Sequence, residues 1–117
     1  MKIKDIVKAV GNIAPKALAL EWDNTGLLVG DMDAEIKNIL MTIDITKDVM
    51  QEAKKNNAQL ILSYHPVIWD GLKTVTADGP GSIVYELIRS KINVYSIHTA
   101  FDIVRGGVND ELANMLG

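Results

Sequence analysis

The sequence predicts an α/β domain in three layers, with a largely parallel or mixed sheet flanked by helices. Three observations predict it. Between residues 38 and 97, apolar segments of strand length alternate with segments of helical periodicity. The strand segments are almost uniformly apolar, as in a sheet covered on both faces. The chain has 117 residues, the size of one domain that can bury about two-thirds of its unfolded surface. Residues 1–117 therefore read as a single domain, with no repeat, no low-complexity segment and no dividing linker.

Each element has a local reason. Ile3, Ile6, Val7, Val10 and Ile13 fall on one face of a helix over residues 3–13, and Gly11 and Pro15 mark its end. Residues 15–20 open on a proline, where a short helical piece tolerates it. Residues 21–26 (EWDNTG) are a polar loop, and residues 26–30 (GLLVG) read as a short strand. Residues 38–43 (NILMTI) form the next strand. A helix follows over 44–57, with Val49, Met50 and Ala53 inward. Residues 59–63 (QLILS) are a strand, and residues 64–78, containing YHPVIWDG, are a loop. Ile83, Val84, Leu87 and Ile88 give a helix over 81–90. Residues 92–97 (INVYSI) give another strand, and a last helix spans 108–116 before Gly117. The order strand, helix, strand, helix, strand makes two βαβ units with right-handed crossovers and three parallel strands.

Composition removes several functions. Fifteen acids against twelve bases give a net charge of −3, too small to favour a nucleic-acid backbone. There is no cysteine, which excludes disulfides, thiolate metal sites, iron–sulfur clusters and a cysteine nucleophile. No apolar run approaches membrane-spanning length. The first residues, MKIKDIVKAVG, carry Asp5 and spaced apolar residues, unlike a signal peptide. A cytoplasmic protein that contacts neither nucleic acid nor membrane is the expectation.

The chemistry concentrates at the strand ends. The chain has two histidines, and His65 and His98 each lie just past the C-terminal end of a predicted parallel strand. Asp44 holds the same place after residues 38–43. Ligands of open α/β sheets bind at the carboxyl ends of strands. Asp102, four residues after His98, can bend back to the same edge. Two imidazoles and a carboxylate make a divalent-metal site with positions left for water. As alternatives, His65 before Pro66 can serve as a turn residue, and His98 can cap its strand by hydrogen bonding. Residues 78–82 (DGPGS) precede a helix and could hold phosphate, but turn chemistry is the simpler reading. Trp22 and Trp69 lie in polar loops and read as lids over the core rather than stacking platforms. Lys54 and Lys55 read as a solvated helix face, and neither Ser63 nor Ser82 has the frame of a nucleophile elbow.

Four blocks, EWDNTGLLVG (21–30), TIDIT (42–46), AQLILSYHPVIW (58–69) and YSIHTAFDIVRGGVNDELANMLG (95–117), resemble the Nif-three-like family, whose bacterial members include the GTP cyclohydrolase 1 type 2 homologues. They fall in the family's order and cover nearly the whole chain, which is similar to the family's N-terminal half. The resemblance implies a Nif-three-like fold, a pair of divalent metals in a cleft and a ring-shaped homo-hexamer. Carried over by position, His65 matches the second of a paired histidine before proline, and Asp102 the aspartate of H-T-x-x-D; the resemblance implies that both are metal ligands. His98 matches the motif's own histidine, lining the metal site as a proton shuttle. Two departures follow. Tyr64 stands where the first paired histidine falls, and a phenol with an ordinary pKa of about 10 is a poor ligand. The later histidine and glutamate of the family have no counterpart before Gly117. One metal would thus lose most of its ligands, and the other would keep His65 and Asp102 with His98 in support.

The favoured reading is a divalent-metal-binding protein (zinc, iron, manganese or magnesium). It would act as a metal-dependent hydrolase on a nucleotide-like or other small substrate, through metal-activated water and with His98 as the catalytic histidine. The alternatives are a non-catalytic metal-binding or assembly domain and a small-ligand regulatory module. A homo-oligomer, hexameric or built on dimers, is expected, with Leu112, Met115, Leu116 and the apolar edge near residues 26–30 as its contact surface.

Overall fold

The computed structural model describes residues 1–117. Helix α1 (Ile3–Ile13) starts where the Asp5 carboxylate accepts from the Lys2 backbone N–H at 2.8 Å. Its apolar stripe buries Ile3 and partly buries Ile6, Val7 and Val10, while Ile13 stays exposed. A single 3-10 turn at Lys16–Leu18 follows, shorter than the helical piece expected. The chain then runs through β1 (Gly26–Val29), β2 (Ile39–Thr42), α2 (Lys47–Lys55), β3 (Leu60–Ser63), α3 (Ser82–Arg89), β4 (Asn93–Ser96), α4 (His98–Ile103) and α5 (Val108–Leu116).

The sheet has the order β1-β4-β3-β2. Strands β2, β3 and β4 are parallel, as the alternation of elements requires. Strand β1 pairs antiparallel with β4 and makes the sheet mixed. It reaches β4 without a βαβ crossover, so nothing forces it parallel. Helix α2 begins later than residue 44: Thr46 caps it, accepting from Val49 N–H at 3.2 Å. Asp48 in its first turn and Lys54 and Lys55 in its last complement the helix dipole. Residues 78–81 form bends and a turn that lead into α3. Gly81 lets the chain approach closely, since a Cβ there would sit 2.5 Å from the Thr74 carbonyl oxygen. Lys54 of α2 donates to Glu86 of α3, ties the two helices and holds Glu86 below the usual carboxylate range.

Two apolar layers hold the sheet. On one face Ile61, Val94 and Val29 pack against Met50 and Ala53 of α2 and Val84 and Leu87 of α3. On the other, Leu60 and Tyr95 pack under Ile3 of α1 and Ile36. Leu27 and Leu28 of β1 turn one to each layer, so the apolar edge near residues 26–30 is largely spent on the core.

The second face is not covered throughout. Strand β2 sends Leu40 to the α2–α3 layer but leaves Ile39 and Met41 (74% exposed) uncovered, as is Ile43 just after it. Coverage of both faces was expected from the apolar run. Helix α1 stops short of β2, and an apolar groove of about 510 Å³ remains there, lined by Met41, Ile43, Leu62, Ile97, Phe101 and Val108. No helix is long and apolar enough to cross a membrane.

The two faces make opposite mutational predictions. Leu60→Ala, at a site with 0% exposure, should cost about 2–5 kcal/mol in urea unfolding. Met41→Ala on the uncovered face should change stability by no more than about 0.5 kcal/mol. Comparable losses at the two positions would mean that Met41 is covered.

Candidate functional site

The site grows from one register. Thr42, Ser63 and Ser96 stand side by side as the last residues of β2, β3 and β4. Asp44, His65 and His98 each lie two residues further on. Ladder-like bonding continues past the strand ends and fixes these residues. Tyr64 N–H donates to the Thr42 carbonyl at 3.0 Å and His65 N–H to that of Ile43 at 3.0 Å. Ile97 N–H donates to the Ser63 carbonyl at 3.1 Å, and His98 N–H to that of Tyr64 at 2.9 Å. The two imidazole rings come to 5.1 Å between centroids.

Each histidine is held by a carboxylate. His65 Nδ1 lies 2.6 Å from Asp44 Oδ1, and His98 Nδ1 lies 2.9 Å from Asp23 Oδ1. A carboxylate oxygen only accepts, so in the neutral ring Nδ1 carries the proton and Nε2 keeps its lone pair. The two pairs differ in setting. Asp44 is mostly exposed, while the Asp23 side chain has no exposure at all.

Burial pushes the Asp23 carboxyl up, and four hydrogen bonds pull the other way. They come from the Thr99 hydroxyl (2.6 Å), His98, Thr99 N–H (3.1 Å) and Asn24 N–H (2.9 Å). Hydrogen bonds to a charged group are worth about 1.5–3 kcal/mol each. Together they win, and Asp23 titrates below the ordinary carboxylate range. The same threonine hydroxyl accepts from Leu20 N–H at 2.9 Å and so fastens residues 20–24 to the start of α4.

Asp102 reaches the site as expected from its spacing, because α4 places it one turn beyond His98 on the same helix face. Its Oδ1 accepts from the Tyr64 hydroxyl. The Tyr64 ring stands 4.9 Å from His65 and 5.2 Å from His98. Desolvation, then the bond to Asp102 and its negative charge, push the Tyr64 phenol up to about 12. Tyr64 is therefore a neutral donor at any ordinary pH. Ser63, two residues before His65, carries a buried hydroxyl with no hydrogen-bond partner.

His65, His98 and Asp102 thus gather around Tyr64 at one edge, with Asp44 held on His65. Three features were not read from the sequence. Asp23 holds His98, brought there by the antiparallel placement of β1, which sets the loop before Gly26 beside Ser96. A helix, α4, begins at His98 itself. The two tryptophans are not lids over the core. Trp22 is 67% and Trp69 53% exposed, and both stand on the His98 ring, at 6.3 Å and 5.1 Å.

A divalent ion is the group this donor set suggests. Imidazole nitrogens with carboxylate oxygens suit zinc, iron or manganese, and a carboxylate behind each Nδ1 is the usual support of a metal-binding histidine. No three histidine or acid side chains converge closely enough to hold one ion among themselves. The arrangement therefore fits an ion held by one or two side chains, with water filling the other positions.

Comparison with known proteins gives a consistent answer. The pattern of Duf34/NIF3 (NGG1p interacting factor 3) matches residues 1–117. A Clostridium perfringens protein named GTP cyclohydrolase 1 type 2 homolog is 43% identical over 118 residues, which take in all of this chain and 45% of that protein. A Staphylococcus epidermidis protein of the same name is 40% identical over 117 residues, all of this chain and 32% of its own length. Among solved structures, Staphylococcus aureus protein SA1388 superposes with a TM-score of 0.93 at 38% identity, covering all of this chain and 34% of its own. Reduced HcgD from Methanocaldococcus jannaschii gives 0.90 at 37% identity over 98% of this chain and 46% of its own. This chain spans less than half the length of each.

The Tyr64–Asp102 bond has a pH signature. A phenol raised in the folded state adds stability below its unfolded value near 10, and that contribution fades as pH rises through about 12. In a phenolate absorbance titration the wild type should show a step near pH 12 that Tyr64→Phe lacks and that Asp102→Asn moves lower. A Tyr64 step at pH 10 would mean that the bond is absent.

Proposed function

Because this chain belongs to the Duf34/NIF3 family, we propose that its histidine cluster binds a divalent metal ion and serves hydrolysis of a small substrate. One observation carries the reading: both imidazoles have Nδ1 on a carboxylate, which leaves both Nε2 atoms for a ligand or a proton. His65 and Asp102 are the proposed ligands, and His98 is the proposed proton carrier. The name GTP cyclohydrolase 1 type 2 homolog, borne by the relatives, makes a nucleotide-like substrate the first to try.

A bound divalent ion would lower the pKa of its water and polarise an electrophilic carbon or phosphorus. The chain's own residues supply the rest. Asp44 orients His65. Asp23, fixed by Thr99, orients His98 so that Nε2 can accept a proton from attacking water and return it to the leaving group. Tyr64 holds one oxygen of Asp102, competes for that carboxylate, and keeps affinity low.

Equilibrium dialysis with zinc and manganese tests this. Wild-type protein should bind weakly and empty in chelator. Asp44→Asn should weaken binding by about 10- to 100-fold, and Tyr64→His, which adds an imidazole beside His65, should strengthen it. Binding that ignores Asp44→Asn, or affinity unchanged in folded Tyr64→His protein, would overturn the reading.

The same proposal includes self-association. Leu112, Met115 and Leu116 of α5 are exposed together, the kind of apolar patch that marks an interface. Light scattering should give a multiple of 12.8 kDa, and Leu112→Glu should reduce it to the single-chain mass. A single-chain mass for wild type at high concentration would remove this part.

A further inference from the structure

We infer that two copies of this chain associate face to face, the apolar stripe of α5 from each copy lying in the groove beside β2 of the other. The inference names the partner surface for the self-association proposed above and rests on that part of the proposal.

The chain exposes more surface than a self-contained fold of its size. Its accessible area is 7507 Å², where a compact monomer of 12.8 kDa shows about 6,300 Å². Its radius of gyration is 14.6 Å, against about 13.4 Å for a compact chain of the same length. The excess area, about 1,200 Å², is larger than the roughly 800 Å² that each partner gives to a stable interface.

Two apolar features lie uncovered, and their shapes are complementary. The groove of about 510 Å³ has no charged lining residue. Helix α5 carries Val108, Leu112, Met115 and Leu116 at helical spacing on one face, yet none of its residues is buried. Within one chain only Val108 of that stripe lines the groove; Leu112, Met115 and Leu116 do not. A groove without a helix and a helix without a groove thus occur on the same chain.

Stripe and groove form one continuous face. Phe101 and Val108 line the groove and also a hollow of about 260 Å³ that Leu112 borders. A two-fold axis through such a face sets each stripe against the other copy's groove, so the contact closes with two equal halves. Neither the stripe nor the groove has a charge to desolvate. Asp110 and Glu111 of α5 are exposed, as rim residues of an interface are. Met41 is uncovered in the separated chain, where its truncation leaves unfolding unchanged, and covered in the pair. Tyr64 also lines the groove, so the seated helix borders the side chain that holds Asp102.

Cross-linking of the full chain tests the inference, because the chain has no cysteine of its own. Protein carrying Met41→Cys is mixed with protein carrying Met115→Cys and treated with a short bismaleimide. The mixture should give a two-chain product joined through positions 41 and 115, in far higher yield than either variant alone. In sedimentation equilibrium, Met41→Glu should raise the dissociation constant about tenfold or more, since it buries an unpaired carboxylate in the groove, while Met41→Leu stays near wild type. Circular dichroism checks that each variant is folded. Cross-links through position 41 alone would mean that β2 edges pair with each other and would overturn the inference. So would links through position 115 alone, or association that ignores Met41→Glu; these outcomes leave self-association standing. A single-chain mass for wild type at high concentration would remove self-association and this inference together.

Discussion

The whole site hangs on the common register of three parallel strands. Thr42, Ser63 and Ser96 are neighbours across the sheet, so whatever stands two residues later in each segment arrives at the same edge. Those residues are Asp44, His65 and His98. A slip of one residue between β3 and β4 would turn one imidazole away from the other, and a slip between β2 and β3 would turn Asp44 away from His65. The register is held by burial: Leu60, Ile61 and Val94 are fully enclosed, with α1 on one side and α2 and α3 on the other. Packing far from the chemistry therefore sets which side chains can meet.

Electrostatics completes what the register begins. His98 is almost buried, and a buried imidazole without a partner for its N–H would be costly. Asp23 meets that need and has its own need met by Thr99 and Asn24. Each group is thus satisfied by the next, and the chain of bonds runs from the loop before β1 to the first turn of α4. His65 and Asp44 repeat the pairing in a wetter setting, where it contributes more to orientation than to stability. Tyr64 stands between the two histidines as a neutral phenol fastened to Asp102.

Much of this was legible in the sequence because parallel strands obey a rule about where their ends go. Apolar segments separated by helical ones located β2, β3 and β4, and the strand-end rule then located His65, His98 and Asp44 without any relative. Helix α1 and helix α5 lie at the predicted positions, since periodicity and breakers define them locally. What was missed depends on non-local facts. Nothing within residues 26–29 says that β1 runs antiparallel, yet that direction brings Asp23 and Trp22 to the site. The apolar character of β2 gave no sign that α1 would stop short of it. The tryptophans were read as lids because indoles usually are; their exposure follows from loops tied down by Asn24 and Asp23.

Both imidazoles are turned by carboxylates so that Nε2 is the free nitrogen. The chain has only two histidines, so a long-range nitrogen–proton correlation spectrum resolves them without ambiguity. With the rings neutral, both should carry the proton on Nδ1 and show an unprotonated Nε2, and Asp23→Asn should disturb the His98 pattern alone. A spectrum in which either ring carries its proton on Nε2 would contradict that arrangement.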